Sequence, residues 1–531
     1  MTAAFDYVIV GAGSAGCVLA NRLSADGTTT VALLEAGARD WNPWIHVPVG
    51  YFKTIHNPKT DWCYVTEPDP GLNGRALKWP RGKVLGGSSS INGLLYVRGQ
   101  RQDYDRWAEA GCKGWSYTDV LPYFKRAENQ SRGEDEFHAT AGPLHVSDMT
   151  FKRDICDNFI QGVAELGTPL NNDINGAEQE GVGYFQLTAH KGRRCSTAVA
   201  YLKPVRSRSN LSIFTHSMVQ RINMDAGRAS SVRIKRNGVI TDVLARREVI
   251  LSAGAIGSPQ LLQVSGIGPG KLLQSHGIEV IKDAPEVGEN LQDHLQIRAV
   301  YKTRLPITLN DELSNTLQKV RAGLQYLANR SGPLSMAASQ VYAFCRTRLA
   351  NERPDIQYHF QPLSADSPGE GLHPFSAITA SVCQLRPESR GSIHIRSASA
   401  DQHPAIITNY LSTDLDCRTA VEALRFTRAI MQTDAMKDHI ASEWLPDPDA
   451  QSDEEMLHQA RDIANTIYHP TSTCRMGDDD QSVVDPKLRV RGVDGLRVVD
   501  ASIMPEIVSG NTNAPTVMIA ERATDLILHD H

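Results

Sequence analysis

The chemistry first visible in this chain belongs to a nucleotide. Gly11-Ala12-Gly13-Ser14-Ala15-Gly16 follows the apolar run Tyr7-Val8-Ile9-Val10, and Glu35 closes a second apolar run, Val31-Ala32-Leu33-Leu34. In a strand-turn-helix of this pattern the first glycine permits the tight turn. The second lets the backbone approach a pyrophosphate, and the third lets the helix pack on the strand. The helix start offers N–H groups and partial positive charge to the phosphates. A carboxylate at the end of the second strand accepts both hydroxyls of an adenosine ribose and disfavours a 2′-phosphate, so NAD or FAD is expected rather than NADP. The same stretch nearly spells the serine nucleophile elbow G-x-S-x-G. Ala12 stands where that motif's first glycine belongs, and the pyrophosphate reading accounts for more residues.

Around this motif the chain must supply large, ordinary cores. Its 531 residues exceed what one hydrophobic core fills, so roughly two to four units are expected. A hydrophobic share of 41% and a charged share of 22% are those of a globular protein, and a net charge of −5 offers no basic field for nucleic acid. Nine scattered cysteines without a C-x-x-C pair predict buried thiols in a reducing compartment, with no disulfide framework or metal site. The start of the chain lacks the charged and apolar regions of a secretory signal, and no apolar run is long enough to span a bilayer. A cytoplasmic location follows, with peripheral membrane contact left open.

Alternating strand-like and helix-like segments run to about residue 128, including a helix over 117–125 that contains Pro122 and a polar loop over 129–136. Short β-rich runs follow at 211–214, 232–234 and 248–251, and Val249-Ile250-Leu251 is apolar on both faces, as a central parallel strand requires. It leads into Ser252-Ala253-Gly254-Ala255, a second strand-to-helix turn. The pattern then changes to a helix over 313–327 and strands over 355–361, 377–385 and 391–395. It returns to α/β character after residue 465, with a strand over 496–500 and a closing helix over 514–528. A cofactor domain built from both ends of the chain and enclosing a middle domain explains this order.

Gly82-Lys83-Val84-Leu85-Gly86-Gly87-Ser88-Ser89-Ser90-Ile91-Asn92 is too rich in glycine and serine for a core element and reads as a loop laid against a flat ligand. Together with Gly254 to Gly268, Val287-Gly288-Glu289-Asn290-Leu291-Gln292-Asp293-His294, His469-Pro470 and Asp500 to Thr516, it resembles the glucose-methanol-choline family of FAD-dependent alcohol oxidoreductases over nearly the whole chain. The resemblance implies FAD, with its ring near residues 86–93. The sequence agrees, since Gly266-Ile267-Gly268-Pro269-Gly270 has the wrong spacing for a second nucleotide fingerprint. The implied contacts are Gly11, Gly13, Ser14, Ala15, Gly16, Glu35, Ala36, Arg81, Val84, Gly86, Gly87, Ser90, Asn92, Gly93, Leu94, Asp500, Ala501, Asn511, Thr512 and Asn513. Some relatives carry the flavin on a histidine at the position of Ile91, so here a non-covalent FAD is expected. The implied fold is an α/β FAD-binding Rossmann-like domain assembled from residues 1–155, 195–300 and 465–531, plus an α+β substrate domain with an antiparallel sheet from 156–194 and 301–464.

Oxidising an alcohol needs a base that titrates near neutrality, for which histidine is the natural choice. Among seventeen histidines, His469 matches the family's catalytic position, and Asn513 matches the second member of its pair. An amide can hydrogen-bond a developing negative oxygen but cannot take its proton. The segment Ser335 to Phe344 carries Gln340 and no acid, and Thr466-Ile467-Tyr468 is similar to the bacterial primary-alcohol dehydrogenases of the family. The expectation is therefore a small uncharged primary alcohol oxidised to an aldehyde, with hydride passing to flavin N5 and electrons onward to a quinone-type acceptor. The alternatives are an oxidase of aryl or furanic alcohols that makes hydrogen peroxide, and, from another class, a redox-silent FAD-containing lyase.

Overall fold

A computed structural model describes residues 4–366, 369 and 371–530. Two seven-stranded sheets dominate it. The first runs in the order Leu211–Phe214, Val31–Leu34, Ala4–Val10, Val239–Leu251, Arg228–Arg236, Ser217–Asp225, and Leu496–Val498 also pairs with Val239–Leu251. Its nucleotide-motif strands are parallel, and a meander of antiparallel strands extends one side. Val239–Leu251 serves both parts. Its first half pairs antiparallel with Arg228–Arg236, and its end, where Val249, Ile250 and Leu251 are wholly buried, lies parallel to Ala4–Val10. Strands buried on both faces lose the polar alternation, which is why this end reads as a continuous apolar run. The carboxyl ends of the parallel strands deliver Val10, Leu34 and Leu251 to one edge, where open α/β sheets bind ligands.

The second sheet is antiparallel, in the order Ile440–Leu445, Leu295–Thr303, Ala377–Gln384, Ile356–Gln361, Val341–Cys345, Gly181–Tyr184, with Ala464–Thr466 also on Leu295–Thr303. One face sends Ile297, Ala299, Tyr301, Ile356, Tyr358, Phe360, Ile378, Ala380 and Val382 into a core shared with the helices Asp154–Glu165 and Asp414–Met431. The opposite face carries Gln296, Arg298, Gln357, His359 and Gln361, and these are buried as well. Alternation normally marks a strand with one side in water. Here Gln296, Arg298, His359 and Gln361 of the polar side line a cavity.

Several elements differ from expectation in detail. The helix expected over 313–327 divides into Leu309–Glu312 and Thr316–Asn329, because the Asn315 side chain accepts from Gln318 N and starts a new helix there. The segment over 391–395 contributes Ser392–His394 to a separate two-stranded ribbon with Ala405–Ile407. Tyr117–Ala127 stays helical through Pro122, held by the reciprocal Ser116 and Asp119 cap and by burial of Val120, Phe124 and Ala127. Glu128–Gln130 is a strand where a polar loop was expected to begin. Among the described residues no helix is long and apolar enough to cross a membrane.

Candidate functional site

A deep cavity is lined by residues of both sheets. Its nucleotide end is built by the turn after Ala4–Val10. The helix Ser14–Leu23 begins after Gly13 without a side-chain cap, and Gly13, Ser14 and Ala15 line the cavity, so the unpaired N–H groups of the first turn are available to an anion. The close packing behind this turn admits no side chain at Gly16, where a Cβ would stand 1.9 Å from Gly11 O. A Cβ at Gly87 would stand 2.6 Å from Gly13 Cα, so the two glycine-rich loops lie backbone against backbone. Glu35 is buried at the end of Val31–Leu34 and accepts from Ala12 N at 3.0 Å and Gly37 N at 2.8 Å. Burial pushes its carboxyl up to about 7. Ribose hydroxyls reaching this carboxylate would supply the polar partners that burial denies it. The uncapped helix start, the glycine cradle and the buried acid together fit the FAD that the motif calls for.

Of the residues expected at the cofactor, Gly11, Gly13, Ser14, Ala15, Glu35, Ala36, Arg81, Gly87, Asn92, Gly93, Leu94, Asp500, Ala501, Asn511, Thr512 and Asn513 line the cavity. Gly16, Val84, Gly86 and Ser90 do not. Gly16 is spent on helix packing, and Val84 forms a bridge with Ala38. Gly86 N donates to Ala12 O at 2.8 Å, and Ser90 Oγ donates to Leu85 O at 2.7 Å. These four hold the loops that form the wall. The Asp500 carboxylate also faces protein: it accepts from Gly254 N and Ser258 Oγ at 2.9 and 2.6 Å and from Ser502 N at 2.8 Å, capping the helix Gly254–Val264. That helix start, with Ser252 to Gly257, lines the cavity too, as the second strand-to-helix turn signalled. Ile91 lies in the wall with no nucleophilic atom. Acid precipitation is therefore expected to leave a colourless pellet and all of the FAD in the supernatant, read by absorbance.

At the other end His469 follows Ala464–Thr466 in a turn whose Tyr468 has a φ of 69°. A bulky residue holds that conformation only when its surroundings fix it. The fixing group is Asp293, whose carboxylate accepts from His469 N at 2.7 Å, from Thr466 Oγ1 at 2.6 Å and from the Tyr410 hydroxyl. Arg81 Nη2 adds a bond of 2.6 Å to Tyr468 O.

The His469 ring is set by a relay. His294 Nε2 lies 3.0 Å from Leu385 O, which can only accept, so that nitrogen carries the proton. Burial holds His294 neutral, down to about 4, which leaves its Nδ1 bare. His469 Nδ1 at 3.1 Å must then donate to it, and His469 Nε2 is left with its lone pair. Burial, aided by the neighbouring His294, His359 and Arg81, holds His469 well below the usual histidine range. The ring is thus an unprotonated imidazole in a cavity wall, the form a general base needs.

The amide beside Nε2 is Asn511, whose Nδ2 stands 3.1 Å away. Asn513 was expected in that place, yet its Oδ1 accepts from Ser14 Oγ at 2.8 Å, and its backbone opens the helix Asn513–His529 behind Thr512. The expected substrate-facing segment also needs correction. Of residues 335–344 only Ser339 lines the cavity. Gln340 is buried elsewhere, accepting from Cys156 Sγ at 3.2 Å and pointing its amide at Met336 Sδ. The polar groups facing the substrate end are Gln296, Arg298, His359 and Gln361 from the second sheet.

Comparison with known proteins places this geometry. Family models described as GMC oxidoreductase match residues 5–296 and 387–520. The chain is 42% identical over 527 residues to an alcohol dehydrogenase [acceptor] of Pseudomonas putida, covering 99% of this chain and 96% of that protein. It is 42% identical over 534 residues to the mitochondrial choline dehydrogenase of Homo sapiens, covering 98% and 89%. Among solved structures, pyridoxine 4-oxidase from Mesorbium loti superposes with a TM-score of 0.90 at 33% identity, covering 99% of this chain and 100% of that one.

Proposed function

The chain belongs to the GMC oxidoreductase family, and we propose that it oxidises an alcohol to an aldehyde, with His469 as the base. The observation that carries this reading is the unprotonated Nε2 of a buried neutral histidine, beside the Asn511 amide and in the same cavity wall as the nucleotide cradle. His469 Nε2 takes the hydroxyl proton, and Asn511, which keeps a second N–H, donates to the oxygen as negative charge builds on it. The backbone bond from His469 to Asp293 and the ring bond to His294 keep the lone pair aimed while the proton moves. The cavity-lining residues of the nucleotide end would hold FAD, which when bound would supply the acceptor for the hydride. Asn513 stays in this reading as a wall residue tied to the phosphate-binding turn through Ser14.

Of the small uncharged primary alcohol expected from the sequence, this proposal keeps a primary alcohol without positive charge, supported by the guanidinium of Arg298 in the cavity wall. The acceptor is quinone-type, as the printed name of the Pseudomonas relative, with its unspecified acceptor, allows. The division into a cofactor unit of 1–155, 195–300 and 465–531 and a substrate unit of 156–194 and 301–464 is also proposed, supported by the two sheets. A cytoplasmic location is supported by nine free cysteines.

Mixing the yellow holoenzyme with primary alcohols without oxygen tests the reading. Bleaching is the expected result, and a flavin that stays oxidised while substrate is cleaved would establish a lyase instead. Admitting air then sorts the acceptor. Slow return of colour fits a quinone-type acceptor, whereas immediate return with peroxide would make the enzyme an oxidase.

A further inference from the structure

We infer that Arg298 is the subsite for a carboxylate carried by the alcohol substrate, so that the enzyme acts on hydroxy-carboxylates. This rests on the proposed alcohol oxidation and narrows its substrate. Arg298 stands on Leu295–Thr303 directly opposite Ser381, one residue pair along from Gln296 on the cavity face. It is 5% exposed. Its contacts are poor: Nη1 to Ser381 Oγ and Nη2 to Ala365 O, both at 3.5 Å, while Nε is buried with no partner. Bonds of that length contribute little.

Other buried arginines of this chain are treated differently. Arg98 meets Glu128 at 2.7 Å and Arg497 meets Glu248 at 2.7 Å. Arg194 has oxygens of Ile45 and Asn92 at 2.6 to 2.8 Å. Among the described residues no carboxylate bonds Arg298. Asp366 acts on it only through space, and that acid is exposed and engaged with His373 at 2.8 Å. The neighbouring Tyr51 and Tyr468 hydroxyls are held neutral by burial.

A guanidinium cannot shed its proton to escape such a site, and a buried unpaired charge is costly. The cost is removed when a partner arrives with the substrate. One planar fork on a polar cavity wall shared with Gln296, His359 and Gln361 matches a two-oxygen monoanion held bidentately. The alcohol end of such a molecule faces His469 across the same cavity, and its oxidation is the reaction already proposed, so no further reactant is required.

Calorimetry of hexanoate and hexanamide binding to the holoenzyme tests the subsite without turnover. Hexanoate is expected to bind at least about tenfold tighter than hexanamide, the scale of a hydrogen bond to a charged group. Arg298→Met should weaken hexanoate by about one to two orders of magnitude and leave hexanamide little changed, with Arg298→Lys between them. The bound-flavin spectrum and thermal melt report whether each variant folds. If Arg298→Met does not, the wild-type preference decides alone. In parallel, terminal hydroxy-carboxylates should reduce the wild-type flavin at lower concentration than diols of equal length. Equal binding of hexanoate and hexanamide, with diols serving as well as hydroxy-carboxylates, overturns the subsite while leaving alcohol oxidation intact. Failure of every alcohol to bleach the flavin strikes at the oxidation itself.

Discussion

His469→Ala is expected to slow anaerobic flavin reduction by an alcohol by about two orders of magnitude or more, the usual scale for a lost general base. The substitution removes the nitrogen whose lone pair takes the hydroxyl proton and leaves the cofactor end untouched, because that end is made by the turn at Gly11 to Gly16, the Gly87 loop and Glu35. The variant should therefore purify yellow, with the loss in kcat. The pH profile gives a second check. A base works deprotonated, and burial holds His469 well below 6.5, so in the wild type the unprotonated form persists as pH falls through the ordinary histidine range. The wild-type reduction rate should show no acid limb near 6.5 from this residue. Stopped-flow absorbance measures both. Unchanged reduction in the alanine variant would remove His469 from the chemistry.

The parts of the site legible in the sequence are those whose logic is local. Gly13, Gly16 and Glu35 belong to one strand-turn-helix-strand, so spacing alone fixes what each does, and the turn, helix and acid stand as spacing requires. His469 was found through resemblance, since a single histidine before a proline has no local signature of catalysis. Its partners come from afar: the His294 ring is 175 positions away, and the Asn511 amide 42. The choice between Asn511 and Asn513 turns on where a loop aims two side chains just before a helix begins, which composition does not encode.

The substrate wall was hidden for another reason. In Ile356 to Gln361, and in Gln296 and Arg298, polar and apolar residues alternate as in any half-exposed strand. Periodicity says which residues share a face but not whether that face meets water or lies buried against a cavity. A buried guanidinium thus reads in sequence as a surface arginine.

His294→Leu carries the second large effect, about ten- to a hundredfold in kcat, although His294 is absent from the cavity lining and makes its mark through another ring. Two constraints make the effect directional. Leu385 O fixes the proton of His294 on Nε2, and the bare Nδ1 then fixes the proton of His469 on its own Nδ1. A leucine fills the space and accepts nothing, so of the two contacts that keep the His469 proton on Nδ1 only the Asn511 amide at Nε2 is left. With the proton on Nε2, the nitrogen facing the substrate becomes a donor, and the base is lost without any movement of the ring. Asparagine separates this from simple loss of packing, because its Oδ1 can stand where Nδ1 stood and accept from His469. His294→Asn should recover most of the rate that leucine loses. Neutral His294 offers His469 Nδ1 an acceptor and leucine offers none, so the leucine variant should hold His469 no higher than the wild type does, and its acid limb should not move toward 6.5. A merely structural residue would lower the melting temperature, and asparagine would not restore the rate. If leucine and asparagine variants are equally slow, the relay through His294 does not set the tautomer.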